Sequence, residues 1–484
     1  MLPRLEIVRR LRPVDLVAPS SVRVSSSAGG VTQMPSLAPY VAATAAEREL
    51  SWLALHLAGH RIGASLDDGS VSLRITHGHG TRELRSRRFQ QAVDPSELGL
   101  SLTGTHVTAW TREADRWVAR ARHDLREVVD TRDEAALADL QVELPAWGGV
   151  AGGFGQLGVR DVRFVTEEDG RPLREGDRLW LTATSAGPGF FDTAHTSVWR
   201  LDPDSLELAH SADLFFRRPD RPGVFGDHAT HLVRTDAGWL VATSTWGDFE
   251  APTTRAERRT PRGLRVTLAE TDADVLRGSH VLDTRELPLP TDGLSSIATW
   301  DPHLVRRGGE WLVGFVSARR FFDFHPALAG GASLDDLRLL GAATDRRSTE
   351  GTTILEVDGK MVVLASDGRD SVREQRARFP VFDLTMSDVG VLDAAYPTNL
   401  PWPSLAQVDG AWLMATFNGR PAGGKLLGYG THGDLVIMKQ SGVGSSARGH
   451  GVESAHLHAD TASSRRICTR TRRRVGASAR AGLD

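Results

Sequence analysis

Apolar and polar residues alternate with a period of two through much of the chain, the mark of half-buried β-strands. The alternation is clearest at 70–75 (SVSLRI), 106–112 (HVTAWTR) and 116–122 (RWVARAR). Asp67-Asp68-Gly69 supplies a turn signal, and Glu113-Ala114-Asp115 reads as the hairpin connection between the last two runs. These features predict a β-sandwich-like domain over 49–145. Its opening segment, 49–60 (ELSWLALHLAGH), suits a short helix or a buried strand. There His56 and His60 stand four apart, but Leu57 occupies the place where a zincin helix needs Glu. Residues 1–48 show no sustained period and read as a weakly structured lead-in with one strand near 21–25. Residues 146–158 (AWGGVAGGFGQLG) read as a Gly-rich linker. They contain a G-x-G-x-x-G match, but a strand pattern follows it where a dinucleotide site needs a helix N-terminus.

Between 159 and 440 the pattern repeats. Five segments share a phrase of turn, aromatic or apolar strand, and small residue: 176–185 (GDRLWLTATS), 236–244 (DAGWLVATS), 308–317 (GGEWLVGFVS), 358–366 (DGKMVVLAS) and 409–417 (DGAWLMATF). Their marker residues are Trp180, Trp239, Trp311, Met361 and Trp412, with steps of 59, 72, 50 and 51. A short apolar strand precedes each turn. Five hairpin-led units without helices between them predict a five-bladed β-propeller. The fold class is therefore all-β, a propeller preceded by a smaller sandwich.

Acids stand where the first strand of several units begins. They are Asp161, Asp301 in Trp300-Asp301-Pro302, and Glu350 in Glu350-Gly351-Thr352, with Asp227 set further back and Pro401-Trp402-Pro403 in the fifth unit. First strands line a propeller's channel, so these carboxyls should meet at one rim. The ends of the second strands reach the same rim and bring Trp246, Arg319, Arg369 and Arg420, with Phe190-Phe191 nearby, into an expected sugar-binding collar. Of the two histidines in His228-Ala229-Thr230-His231, only His228 is expected near the pocket. One protonated and one ionised carboxyl suit cleavage of a glycosidic bond.

The order and setting of these acids resemble the five-bladed glycoside hydrolases of family 43, with their arabinanase and xylosidase relatives, over roughly 159–440. The resemblance implies Asp161 as general base, Glu350 as general acid and Asp301 as the neighbour that tunes it, with inversion at the anomeric carbon. Asp161 is followed by Val162, and Thr352 follows Gly351, where that family usually has Pro. The fifth unit lacks the His that often holds a channel metal there, so no metal and no cofactor are expected. The stretch 101–125 resembles strands of laminin-G-like or concanavalin-like sandwiches. Ser65, Asp67 and Gly69 match part of a sialidase Asp box but serve better as a hairpin turn. Two other readings stay open: a silent carbohydrate-binding propeller, and a glycan phosphorylase on a related propeller. In all three the partner is an oligosaccharide or polysaccharide.

Composition narrows the field. The chain of 484 residues is 40% apolar and 25% charged, and its single cysteine, Cys468, rules out an internal disulfide or a Cys-rich zinc module. The net charge of −3 hides a basic end: residues 441–484 hold eight Arg and read as a disordered tail, leaving an acidic body that argues against nucleic acid. No apolar run suits a membrane span and 1–13 lacks a signal-type apolar core, so a cytoplasmic location is expected.

Overall fold

The computed structural model describes residues 2–48, 50–249, 263–320, 323–420 and 433–442. Their single α-helix is Glu134–Ala138, and none of their helices is long and apolar enough to cross a membrane. Residues 159–440 together with the N-terminal strand form five sheets, the blades of a propeller, antiparallel except where Thr166–Glu167 joins the second blade and Gly278–Asp283 the first in parallel. Their innermost strands are Val159–Phe164, His228–Thr235, Ala298–Arg307, Thr349–Val357 and Ser404–Val408. Each continues outward through a hairpin partner: Arg178–Ser185, Gly238–Ser244, Glu310–Arg320, Lys360–Asp367 and Ala411–Asn418.

Turn chemistry sets the register of these hairpins. Gly308-Gly309, Asp358-Gly359 and Asp409-Gly410 are two-residue loops with both φ values positive, between 50° and 88°. That geometry matches the twist of the flanking strands and favours Gly and Asp. It fixes Trp311 opposite Arg306, Met361 opposite Glu356 and Trp412 opposite Gln407, and Trp239 falls likewise opposite Arg234. Trp239, Trp311 and Trp412 therefore occupy equivalent places, near the start of each second strand, but Trp180 does not: Arg163 pairs with Thr182 where His231 pairs with Ala242, so Leu179 holds that place in the first blade and Trp180, one residue on, packs against the second blade. Arg234 and Arg306 lie over the indoles of Trp239 and Trp311 at 4.9 and 5.7 Å, covering the apolar faces from solvent.

Two expectations about the N-terminal region fail. Residues 1–48 are not weakly structured: Leu5–Leu11, Asp15–Ser26, Gly30–Gln33 and Tyr40–Ala46 are all strands. Leu5–Leu11 leaves the sandwich altogether and pairs antiparallel with Asp434–Gln440 as the outermost strand of the fifth blade. Nor is 146–158 a linker, because Gly149–Gln156 is a sandwich strand between Tyr40–Ala46 and Asp15–Ser26. Its glycines are there for close backbone contact: a Cβ on Gly155 would fall 2.4 Å from the carbonyl oxygen of Asp15. The segment from 49 is the strand Leu50–Leu57, in which His56 bonds Glu143 at 2.9 Å, while His60 stacks on His77 at 4.1 Å. The basic tail lies, beyond Gly442, outside the described residues.

The sandwich consists of two six-stranded sheets that close on Leu53, Leu55, Leu57, Leu98, Leu100 and Leu102. It packs on the first blade. Tyr40 stacks on Phe215 at 5.3 Å, among Leu16, Phe154 and Leu157. Polar ties reach further: His106 Nδ1 lies 3.2 Å from Asp192, and Arg132 donates to the Gly247 carbonyl at 2.9 Å. Those contacts restrain the loops that carry Phe190, Phe191 and Trp246.

Candidate active site

Four of the five inner strands carry the same irregularity. Ladder pairing skips two residues between Arg160 and Arg163, His228 and His231, Trp300 and His303, and Glu350 and Thr353. The first looped-out residue has positive φ in every case: Asp161 at 53°, Ala229 at 63°, Asp301 at 57° and Gly351 at 72°. This is a β-bulge, which re-aims side chains at the rim of a sheet. Asp tolerates the left-handed conformation better than most residues, and Gly adopts it freely. Because of the bulge, Arg160 and Asp161 both face one cavity although they are consecutive, as do Trp300 and Asp301. The offset of Glu350 is thereby explained. It occupies the place equivalent to Arg160, His228 and Trp300, one step before the bulge.

The cavity measures about 170 Å³ and opens at one end of the channel. Asp161, Asp301 and Glu350 all line it. Its walls are aromatic. Phe191 lies 4.4 Å from Trp246, which meets Trp300 edge-on at 5.5 Å, and Trp300 meets Phe324 at 5.2 Å. Trp402 and Phe417 close the side of the fifth blade.

The three carboxyls differ in surroundings. Asp161 keeps 13% of its side chain exposed and Glu350 is partly exposed, whereas Asp301 is only 2% exposed and stands behind them. Arg160 Nε lies 3.3 Å from the Asp161 carboxylate. Burial pushes Asp161 up, while Arg160, a Thr184 hydrogen bond and Arg163 pull it back toward the ionised form. Glu350 is pushed up to about 8, first by burial and then by the charge of Asp161, against a hydrogen bond from Trp402 Nε1 at 3.5 Å. Asp301 is pushed well above the usual range, by burial first and then by Glu350 and Asp161. Its Oδ2 is buried with no hydrogen-bond partner among the described residues, which suits a protonated carboxyl. The charge of Asp161 lifts Glu350, and Glu350 and Asp301 repel each other.

The remaining expected residues divide. His228, Trp246, Trp300 and Arg369 line the cavity. His228 is held by a 3.0 Å bond between Nδ1 and the Gly226 carbonyl, and burial keeps its ring neutral. Asp227 does not reach the cavity. It is fully buried and bound by two nitrogens of Arg218, and it accepts from the Gly247 N–H at 3.0 Å, so its carboxylate anchors the Trp246 loop. Arg319 lies at the same end as the acids, since Ala318 pairs with Ala298, but it turns outward to Asp323 and to the carbonyls of Thr344 and Arg346. Arg420 is exposed and is not among the described residues that line the cavity. The collar is therefore mainly aromatic, and of the three expected arginines only Arg369 lines it. Arg160, Phe324, Asn399, Trp402 and Phe417 line the site without having been expected there. Aligning the units on their bulges instead of their acids would have found Arg160. Among the described residues, no group of three or more His, Cys, Asp or Glu is placed to hold a metal ion.

No protein-family model and no curated protein matches the chain. Among solved structures it is similar to Zg3597, a family 117 glycoside hydrolase from the marine bacterium Zobellia galactanivorans, at 11% identity and a TM-score of 0.41 over 58% of this chain and 84% of that one. It is similar to the inulosucrase of Halalkalicoccus jeotgali bound to kestose at 15% identity and a TM-score of 0.42, over 58% and 83%. A GH43_1 enzyme from Xanthomonas citri aligns at 14% identity and a TM-score of 0.37, over 58% and 88%. Values of this order leave the activity to be argued from the cavity.

Proposed function

We propose that the chain is a glycoside hydrolase in which Glu350 donates the proton and Asp161 acts as base. The observation that carries this reading is the contrast between two carboxyls in one small cavity. Burial raises both, but Glu350 is pushed up to about 8, whereas Asp161 is restrained by Arg160 and the Thr184 hydrogen bond, which favour its anion. A glycosidase needs this division, an acid for the leaving oxygen and a base for water. Asp301, set behind them, holds the frame. Aromatic walls suit the apolar face of a sugar ring. A cavity of about 170 Å³ falls below the roughly 300 Å³ lower bound for drug-sized ligands, so we assign cleavage of a terminal residue. The resemblance to family 43 makes inversion the expected outcome.

The test is hydrolysis of a panel of aryl glycosides, with the product anomer read by NMR. Glu350→Gln should lose most on substrates with poor leaving groups. Asp161→Asn should lose equally on all of them. Turnover that needs added phosphate would point to a phosphorylase, and binding without turnover to a silent lectin-like propeller.

A further inference from the structure

Arg163 is the first ladder-paired residue after the bulge that carries Asp161. Its side chain is fully buried and crosses the channel under the cavity. Nη1 donates to the Thr352 carbonyl at 2.6 Å, and Nη2 to the Asp301 carbonyl at 3.2 Å. The guanidinium plane lies 4.5 Å over the ring of Trp402. Thr352 is the second bulge residue of the strand that bears Glu350, and its hydroxyl also donates to the Asp301 carbonyl, at 3.4 Å. One rigid fork therefore joins the first blade to the third and fourth and rests on the fifth. It is not among the residues lining the cavity.

We propose that Arg163 is the positioning residue of the site: it fixes the separation of Asp161 from Glu350 and places a permanent cation beneath the carboxyls. The proposal rests on the glycosidase reading. Hydrogen bonds to two carbonyls with an aromatic face beneath use the planar five-donor geometry of a guanidinium, which an ammonium cannot reproduce. The groups its charge reaches are Asp161 on its own strand, Asp301 and His303 on the third blade and His231 on the second. Both histidines are driven neutral by burial first and stack on each other at 4.2 Å. Arg163 therefore stands as the cation that offsets the carboxyl cluster from below. Glu350 is held through backbone, by way of Thr352.

Two variants separate geometry from charge. Arg163→Lys keeps the cation and loses the fork; Arg163→Met keeps the bulk and loses both. We expect kcat to fall about 100-fold in each, the cost of misplacing a reacting group by about 1 Å, with KM within about threefold of wild type. The acidic limb of the pH profile should move upward in the Met variant, because the base ionises less readily without the cation, and should stay in place in the Lys variant. His231→Gln, which disturbs another buried tie at the same depth, the 3.0 Å bond from the Leu304 N–H to His231 Nδ1, should lower the melting temperature and leave kcat intact, which separates the Arg163 fork from general disturbance of the channel. A readout independent of turnover is ¹³C NMR titration of the aspartate carboxyls, in which Asp161 and Asp301 should titrate higher in Arg163→Met than in wild type. If wild type hydrolyses no glycoside, the functional reading falls and the titration still decides the role of Arg163. A folded Arg163→Lys enzyme with kcat within twofold of wild type, or carboxyl titrations unmoved in Arg163→Met, overturns the proposal. Should the Met variant not fold, the Lys kinetics decide alone.

Discussion

Trp402 donates its indole N–H to the Oε1 of Glu350 from the adjoining blade, at 3.5 Å, while the same ring supports the Arg163 guanidinium at 4.5 Å. The hydrogen bond favours the ionised form of Glu350 and opposes the upward push of burial and of Asp161. In Trp402→Phe the aromatic face remains and the donor is lost. Glu350 should then hold its proton to higher pH, so the basic limb of the activity profile should shift upward. A limb that stays in place or moves down would show that the indole N–H does not act on this carboxyl.

Asp161→Asn should remove the charge that lifts Glu350. Its rate loss should be about 10²- to 10⁴-fold, the range for one acid–base group. Independently of rate, the Glu350 carboxyl should titrate lower in the variant, because a neutral neighbour no longer resists its ionisation. NMR of labelled glutamate reads this directly.

Asp227 is a structural test of the site. It is completely buried against Arg218 and holds the Gly247 N–H. Asp227→Asn leaves Arg218 without its main counter-charge and should cost about 3 kcal/mol, as breaking a buried pair does. The Trp246 loop should loosen, so KM should rise more than kcat falls. Melting curves and steady-state kinetics check the two parts.

The seam between sandwich and propeller should respond to pH. His210 Nε2 lies 2.9 Å from Asp213, whose Oδ2 accepts from Ser21 of the sandwich at 3.2 Å. Burial lowers the His210 pKa, but Asp213 and Asp15 outweigh it, so the folded value is raised above the unfolded one. Such a group stabilises the fold fully below the unfolded value of about 6.5 and loses that contribution as pH rises through the folded value. Melting temperature should fall as pH rises above about 6.5 in the wild type. In His210→Gln that part of the slope should vanish.

The propeller was legible because its hairpins advertise themselves. Asp-Gly or Gly-Gly loops followed by Trp or Met fix the register locally, with no help from distant residues. The acids were legible for the same reason, being placed by strands readable one at a time. What the chain hides is non-local. Leu5–Leu11 buries only Leu5 and shows no alternation, because an outermost strand has little to bury. Its partner, Gln440 opposite Leu5, lies at the far end of the chain. The strand Gly149–Gln156 has glycine where a period would show, because backbones approach there. Arg319 has the right place and the wrong direction, since Asp323, four residues on, captures it. The bulges are also invisible to a period count, and they alone bring Arg160 and Asp161 to the same side.

The pairing of Leu5–Leu11 with Asp434–Gln440 has a consequence for biosynthesis. Leu5–Leu11 is made before every other described strand, and it finds its place only after Asp434–Gln440 has been made. The sandwich, from Asp15 to Gln156, can close on its own sequence in the meantime. Until Gln440 emerges, the nascent ring is an open arc whose last blade has no outer edge, and the waiting segment carries Arg4, Arg9 and Arg10, charges that discourage unpaired strands from sticking to one another. Closing so long a loop adds little entropic cost, since that cost grows only with the logarithm of length. The ring is completed by a clasp between the first and the last of the described strands, so the propeller closes in a single late event.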